Sequence, residues 1–279
     1  MSTLTTRLYT WVGLAAVFSL LCSPASAQYK PRPISDPATG ESYHIEGAAD
    51  LWFPTADITV ASAGSGTLAG LPGSQINAER DLGFTDQHLP ALQLQLRPSP
   101  RHKFRLQYIP IQYTGSAVLN QDLVFNGIRY KLGVPVNSTL DWKAYRFGYE
   151  YDFILKNKGF AGLVLEAKYT DVTVELNSPF ATEFAHARGP IPAIGGIGRY
   201  YVVPNISITG EVTAFTIPES VSAQYHAHYV DFDLYGTLNF TNNFGVKAGY
   251  RSLDLGYVIK ADSGTFTLNG LYFGAVLRY

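Results

Sequence analysis

Two histidines one residue apart, His226 and His228, followed by Asp231 and Asp233, form the densest set of chemically capable side chains in this sequence. Residues two apart on an extended strand share a face, so the imidazoles would project together and the two carboxylates from the opposite side. A metal centre needs several converging ligands, and a bare two-residue spacing supplies only a pair, so no metal site is assigned to His226 and His228. Ser220 and Ser222 lie just upstream, where a hydroxyl beside an imidazole could act as an activated nucleophile. No third partner or oxyanion arrangement accompanies them. Gly64, Gly66 and Gly70 are not followed by a helical pattern, so they make no phosphate cradle, and no cofactor motif is present.

A second chemical set is spread through the chain. Arg105, Arg146, Arg199, Arg251 and Lys247, with Glu150, Glu166, Glu211, Asp233 and Asp50, recur inside segments that alternate apolar and polar residues. Such alternation is the signature of strands with one apolar face. The final segment, Thr265 to Tyr279, sets Leu271, Phe273, Ala275, Leu277 and Tyr279 on one face. Nine more follow the same rule: Tyr43–Phe53, Ala91–Arg97, Lys103–Ile109, Leu140–Phe153, Phe160–Val172, Ala193–Val203, Ile206–Ile217, Tyr229–Phe240 and Phe244–Ile259. In water an apolar terminal strand is an aggregation hazard, whereas a closed barrel leaves no edge and presents the apolar face to lipid.

Composition narrows the class. Of 279 residues, 14% are aromatic, with 19 tyrosines, and 26 are glycine. The first 27 residues read as a signal peptide: Arg7 supplies the positive start, Leu14 to Cys22 the apolar run, and Ala25-Ser26-Ala27 the cleavage site. Their removal takes the only cysteine and leaves 20 basic residues against 22 acidic ones, a balance that favours no nucleic-acid partner. Residues 28–42, rich in proline, are expected to be a flexible lead-in, and residues 43–279 the barrel.

The resulting expectation is an all-β fold: a single closed antiparallel up-and-down transmembrane barrel of about ten strands. Links after strands two, four, six and eight are very short and should lie in the periplasm. The longer segments, Ala63–Phe84, Thr114–Ser138 and Asn177–Pro190, should be extracellular loops. Pro90 and Pro110 cannot donate to a ladder, so strands two and three are expected to be short, with uncertain register. Counting from the short turns pairs Arg105 with Glu150, Arg146 with Glu166, Arg199 with Glu211, and Asp233 with Arg251 across the lumen. A barrel of this size has little interior space, so these charges are expected to plug it. Two aromatic girdles are expected, one of Trp52, Phe53, Trp142 and Tyr145, the other of Tyr151, Phe153, Phe240, Phe244 and Tyr279.

Several stretches carry a family likeness: Asp81-Leu82-Gly83, the run Arg97 to Arg105 (R-P-S-P-R-H-K-F-R), Tyr145 to Phe153 (Y-R-F-G-Y-E-Y-D-F), and the closing G-L-Y-F-G-A-V-L-R-Y. In these the chain resembles small porin-like β-barrels of the bacterial outer membrane, from about Tyr43 to the end. The resemblance implies insertion by the barrel-assembly machinery, which would read the strand ending at Tyr279; the signal peptide implies export, and a monomer among outer-membrane lipid is expected. It implies no substrate. The function expected is a structural or interaction role, or a narrow passive pore for small solutes, without catalysis. The alternative is an outer-membrane hydrolase, acting on peptide or lipid, with a rim site near His226 and His228.

Overall fold

The computed structural model describes residues 38–61, 74–125, 128–179, 182–222, 224–260 and 262–279. The signal segment, most of the lead-in and the Gly64–Gly70 stretch lie outside the described residues. Among the described residues are thirteen strands and one short helix: β1 (Ile45–Ala61), β2 (Ile76–Asn77), α1 (Ala78–Leu82), β3 (Leu89–Ser99), β4 (His102–Val118), β5 (Leu123–Phe125), β6 (Ile128–Tyr130), β7 (Pro135–Lys156), β8 (Gly159–Asn177), β9 (Thr182–Val203), β10 (Ile206–Ile217), β11 (Tyr225–Asn239), β12 (Phe244–Ile259) and β13 (Asp262–Arg278). Ten of them, β1, β3, β4 and β7 to β13, pair in chain order, and β13 closes on β1 from Glu46↔Arg278 to Ala61↔Ser263. The result is a closed antiparallel barrel with β2 as one extra short strand on β1.

The strands are longer than the sequence pattern suggests. β8 and β9 pair without a break to Asn177↔Thr182, so most of the stretch expected as a loop from Asn177 to Pro190 is strand. β4 likewise runs to Val118, and β7 begins at Pro135. These extensions escape a search for an apolar outer face, because outward residues such as Thr114, Ser116 and Asn137 are polar.

Pro90 and Pro110 do not shorten their strands, which have 11 and 17 residues. The β3–β4 ladder ends at Leu92↔Tyr108. Two steps further in that register Pro90 would face Pro110, and two residues without N–H groups cannot extend a ladder. Beyond it β4 loses its β3 neighbour. The gap is filled by α1 and Phe84, which bridges to Gly115. Asn77 caps α1, its side chain accepting from the Arg80 N–H, and Gly83 ends the helix at φ 69°, a left-handed conformation that glycine adopts without strain.

The outer wall carries a broad exposed apolar belt that includes Leu92, Phe104, Phe147, Leu165, Ile194 and Phe273. The interior of the same levels holds buried charge: Lys103, Arg146, Glu150, Glu166, Arg251 and Asp231 are all under 10% exposed. Toward the loop end the pattern inverts. On β1 the inward residues become Ile58 and Val60, while Thr55 and Asp57 turn outward. On β8 Val174 and Leu176 face in, and on β13 Phe266 and Leu268 do. An apolar interior needs a polar exterior only where the wall meets water, so this inversion marks the upper limit of the belt.

Candidate functional site in the barrel interior

The interior has two layers. At the turn end, basic and acidic side chains from β4, β7, β8, β10, β11 and β12 join in one connected network. Lys103 Nζ lies 2.6 Å from Glu150 and 2.9 Å from Asp152. Arg105 reaches Glu150 at 3.4 Å and Glu211 at 2.6 Å. Arg146 contacts Glu166, Glu211 and Asp231 at 2.8, 3.2 and 3.3 Å. Lys168 joins Glu166 and Asp231 at 3.2 Å each, and Arg251 lies 2.8 Å from Asp231. Five cations and five anions thus neutralise one another, the condition for holding charge away from water. Room for these groups comes from glycines on neighbouring strands; a Cβ on Gly162 would lie 2.5 Å from Asp152 Oδ1.

Two of the four expected pairs meet, Arg105 with Glu150 and Arg146 with Glu166. Arg199 does not meet Glu211. The register shift between Ile206 and Ser207 puts it opposite Thr209, to which its Nε donates at 2.9 Å, while its Nη1 reaches Glu41. Asp233 stands opposite Arg251 in the ladder, but the guanidinium reaches diagonally to Asp231, and Asp233 accepts from the Tyr272 hydroxyl at 2.9 Å. Lys103 and Asp152 were absent from the expected set. Lys103 shares the parity of Arg105 and could have been found by that signal.

Below the network, residues 38–43 close the turn end. Thr39 N–H donates to the Pro204 carbonyl, and Asn239 Nδ2 donates to the Thr39 carbonyl. Glu41 lies 2.9 Å from Arg199 and 3.2 Å from Arg97, and accepts from the Tyr201 hydroxyl. Burial alone would raise its pKa, but Arg199, Lys103, the Tyr201 hydrogen bond and Arg97 bring it down to about 2. The end of the lead-in is therefore tied into the barrel mouth rather than loose. Arg278, on the last strand, pairs with Glu46 at 2.5 Å and lies under Tyr43.

At the loop end the second layer is apolar. Trp52, Trp142, Leu140, Leu268 and Phe266 pack with Ile76 and Leu82 of β2 and α1 and with Leu123 and Phe125 of the β5–β6 hairpin. Trp52 and Trp142 are 2% and 1% exposed, so neither belongs to a lipid-facing girdle. Both share parity with the inward charges of their strands, and Trp52 Nε1 donates inward to the Gly270 carbonyl. The aromatics that do face outward near this level are Phe53, Tyr108, Tyr145 and Tyr169, the last three forming a row across β4, β7 and β8 with ring separations of 4.8 and 6.5 Å. At the turn end Tyr151, Phe153, Phe240 and Tyr279 are exposed, and Phe240 stacks on Phe244 at 5.7 Å.

His226 and His228 lie on β11 above the belt, the half-exposed His228 3.4 Å from Asp254. No group of three metal-capable side chains converges among the described residues. Neither imidazole there hydrogen-bonds a serine or threonine hydroxyl; Ser222 Oγ instead accepts from Tyr225 N–H.

No protein-family model matches the chain, and no curated sequence is significantly similar to it. Solved structures share its fold. The outer membrane protease OmpT of Escherichia coli aligns over 88% of this chain and all of its own, at 9% identity and a TM-score of 0.54. The attachment invasion locus protein Ail of Yersinia pestis and a FadL homologue of Pseudomonas aeruginosa align at 8% and 9% identity, covering 83% and 87% of this chain and 99% and 72% of theirs, with TM-scores of 0.35 and 0.37. The architecture is a closed antiparallel β-barrel like that of OmpT, and an identity this low speaks to fold alone.

Proposed function

We propose that this protein is a bacterial outer-membrane barrel that does not conduct, exported by a cleaved signal peptide, whose role is structural or interactive and is exercised by its loop end. One observation carries the reading: the ion-pair network joins side chains from six of the ten barrel strands inside the lumen. Cavities within that layer hold only about 20 and 30 Å³, room for roughly one water each. A solute would have to break several buried pairs to pass, and separating even one is costly. The outward apolar belt and the aromatic row support residence in a bilayer, with lipid as the lateral partner. The chain-terminal strand ending at Tyr279 is the segment the assembly machinery would read.

Single-channel recording of the purified protein in a planar bilayer tests this. The expected trace is flat, with no discrete steps; reproducible unitary steps would overturn the plug. The hydrolase reading has one contact in its favour, the approach of His228 to Asp254, and lacks a nucleophile hydrogen-bonded to either imidazole among the described residues.

A further inference from the structure

Where the β3–β4 ladder stops, the substitute wall leaves a cavity of about 250 Å³ between β1, α1, the Phe84–Asp86 segment and β4. Its inner surface is apolar and aromatic: Ile58, Ala78 and Phe84, with the Phe84 and Tyr113 rings parallel at 8° and 6.2 Å apart. Tyr113 is 1% exposed, yet its hydroxyl has no hydrogen-bond partner. A buried phenol left unpaired is expensive unless something supplies the missing bond.

The lining also carries two carboxylates, Glu79 and Asp86. Asp86 Oδ1 accepts from Ala56 N–H at 3.2 Å, and neither Asp86 nor Glu79 makes an ion pair among the described residues. The nearby cation, Arg80, is committed to Asp81 at 3.0 Å. That contact, with the hydrogen bond from Asn77 N–H, holds the Asp81 carboxyl below its usual range despite burial. The cavity therefore presents uncompensated negative charge, aromatic faces and one lone hydroxyl.

We propose that this cavity binds a small organic ammonium ion bearing an apolar group. The ammonium would donate to the Tyr113 hydroxyl and to Asp86 and Glu79, and the apolar part would lie against Phe84 and Ile58. Aromatic rings attract cations through their negative faces, which adds to the selectivity for charge. The volume falls just below the usual range for drug-sized ligands, which restricts the occupant to a small amine.

Calorimetry on the full-length protein in detergent, with benzylammonium as the probe and benzyl alcohol as its neutral counterpart, decides the matter. Saturable benzylammonium binding at millimolar concentration is expected, with benzyl alcohol at least about tenfold weaker, a difference of roughly 1.4 kcal/mol. The double variant Glu79→Gln, Asp86→Asn should weaken benzylammonium about tenfold and leave benzyl alcohol unchanged. Tyr113→Phe should weaken it about threefold or more, in line with the loss of one hydrogen bond. Absence of saturable binding, equal binding of the two probes, or unchanged affinity in both variants would each overturn the proposal. The two-probe comparison on the unmodified protein needs no variant to fold, and its result is independent of whether the lumen conducts.

Discussion

The two ends of the barrel interior solve one problem in opposite ways. At the turn end the wall is apolar outside and the space inside is filled by charge in pairs; at the loop end the wall is polar outside and the space inside is filled by tryptophan, leucine and phenylalanine. Apart from β3, whose ladder with β4 stops at Leu92↔Tyr108, the strands run through both zones, so backbone pairing does little to distinguish them. What differs is the medium outside. Where lipid covers the wall, apolar side chains face outward and the inward set is free to be polar. Where water covers it, the interior must supply the hydrophobic term itself. The loop end is built like a small soluble barrel standing on a membrane one, and the β5–β6 hairpin and α1 supply its core.

This contrast predicts different penalties for damage at the two ends. Replacing Arg146 by Met removes the cation that Glu166, Glu211 and Asp231 share and leaves each with only its remaining partners, Lys168, Arg105 and Arg251 among them. Such a loss should destabilise the barrel by about 4 kcal/mol, read as a shift in the urea unfolding midpoint in lipid vesicles. A cost near zero would mean that water reaches the network and the lumen is not plugged. Leu268, fully buried at the loop end, offers the matching test. Leu268→Ala should cost about 3 kcal/mol through lost burial and the cavity left behind, with no change in conductance in a planar bilayer.

The smallest effect is the most specific. Glu41 has its pKa held at about 2, below the ordinary 4.5, so its ionised form stabilises the folded state. That contribution is complete above about pH 4.5 and is lost as the pH falls toward 2. Glu41→Gln should remove about 2 kcal/mol at neutral pH and flatten the acid limb of the stability profile. An unchanged acid limb would show that residues 38–43 do not seal the turn end.

Within the belt, much of this was legible in the sequence. Alternation along Tyr145 to Phe153 and along Leu271 to Tyr279 assigns faces correctly, because parity on a strand admits only two choices. The same parity places Trp52 and Trp142 inward; the rule that aromatics gather at membrane interfaces pulled them outward, and parity won. Above the belt the alternation persists with its polarity reversed, on Ile58 and Val60 or Val174 and Leu176, and a reader looking for an apolar outer face takes it for loop. Pairs that depend on a single register step were out of reach. The ladder sets Arg199 opposite Thr209, one further step from Glu211 after the shift at Ile206 and Ser207, and Glu41 is its partner from 158 residues away.

The sequence by itself determined the class of fold, the strand faces within the belt and most of the charges that line the interior, since each follows from a two-residue period and the need to leave no edge unpaired. Only the tertiary structure decided which charges meet, that the loop end encloses an apolar core, and that Pro90 opposite Pro110 opens a gap for α1 to fill. Those outcomes depend on register and on the reach of side chains across the closed barrel, and no local pattern encodes them.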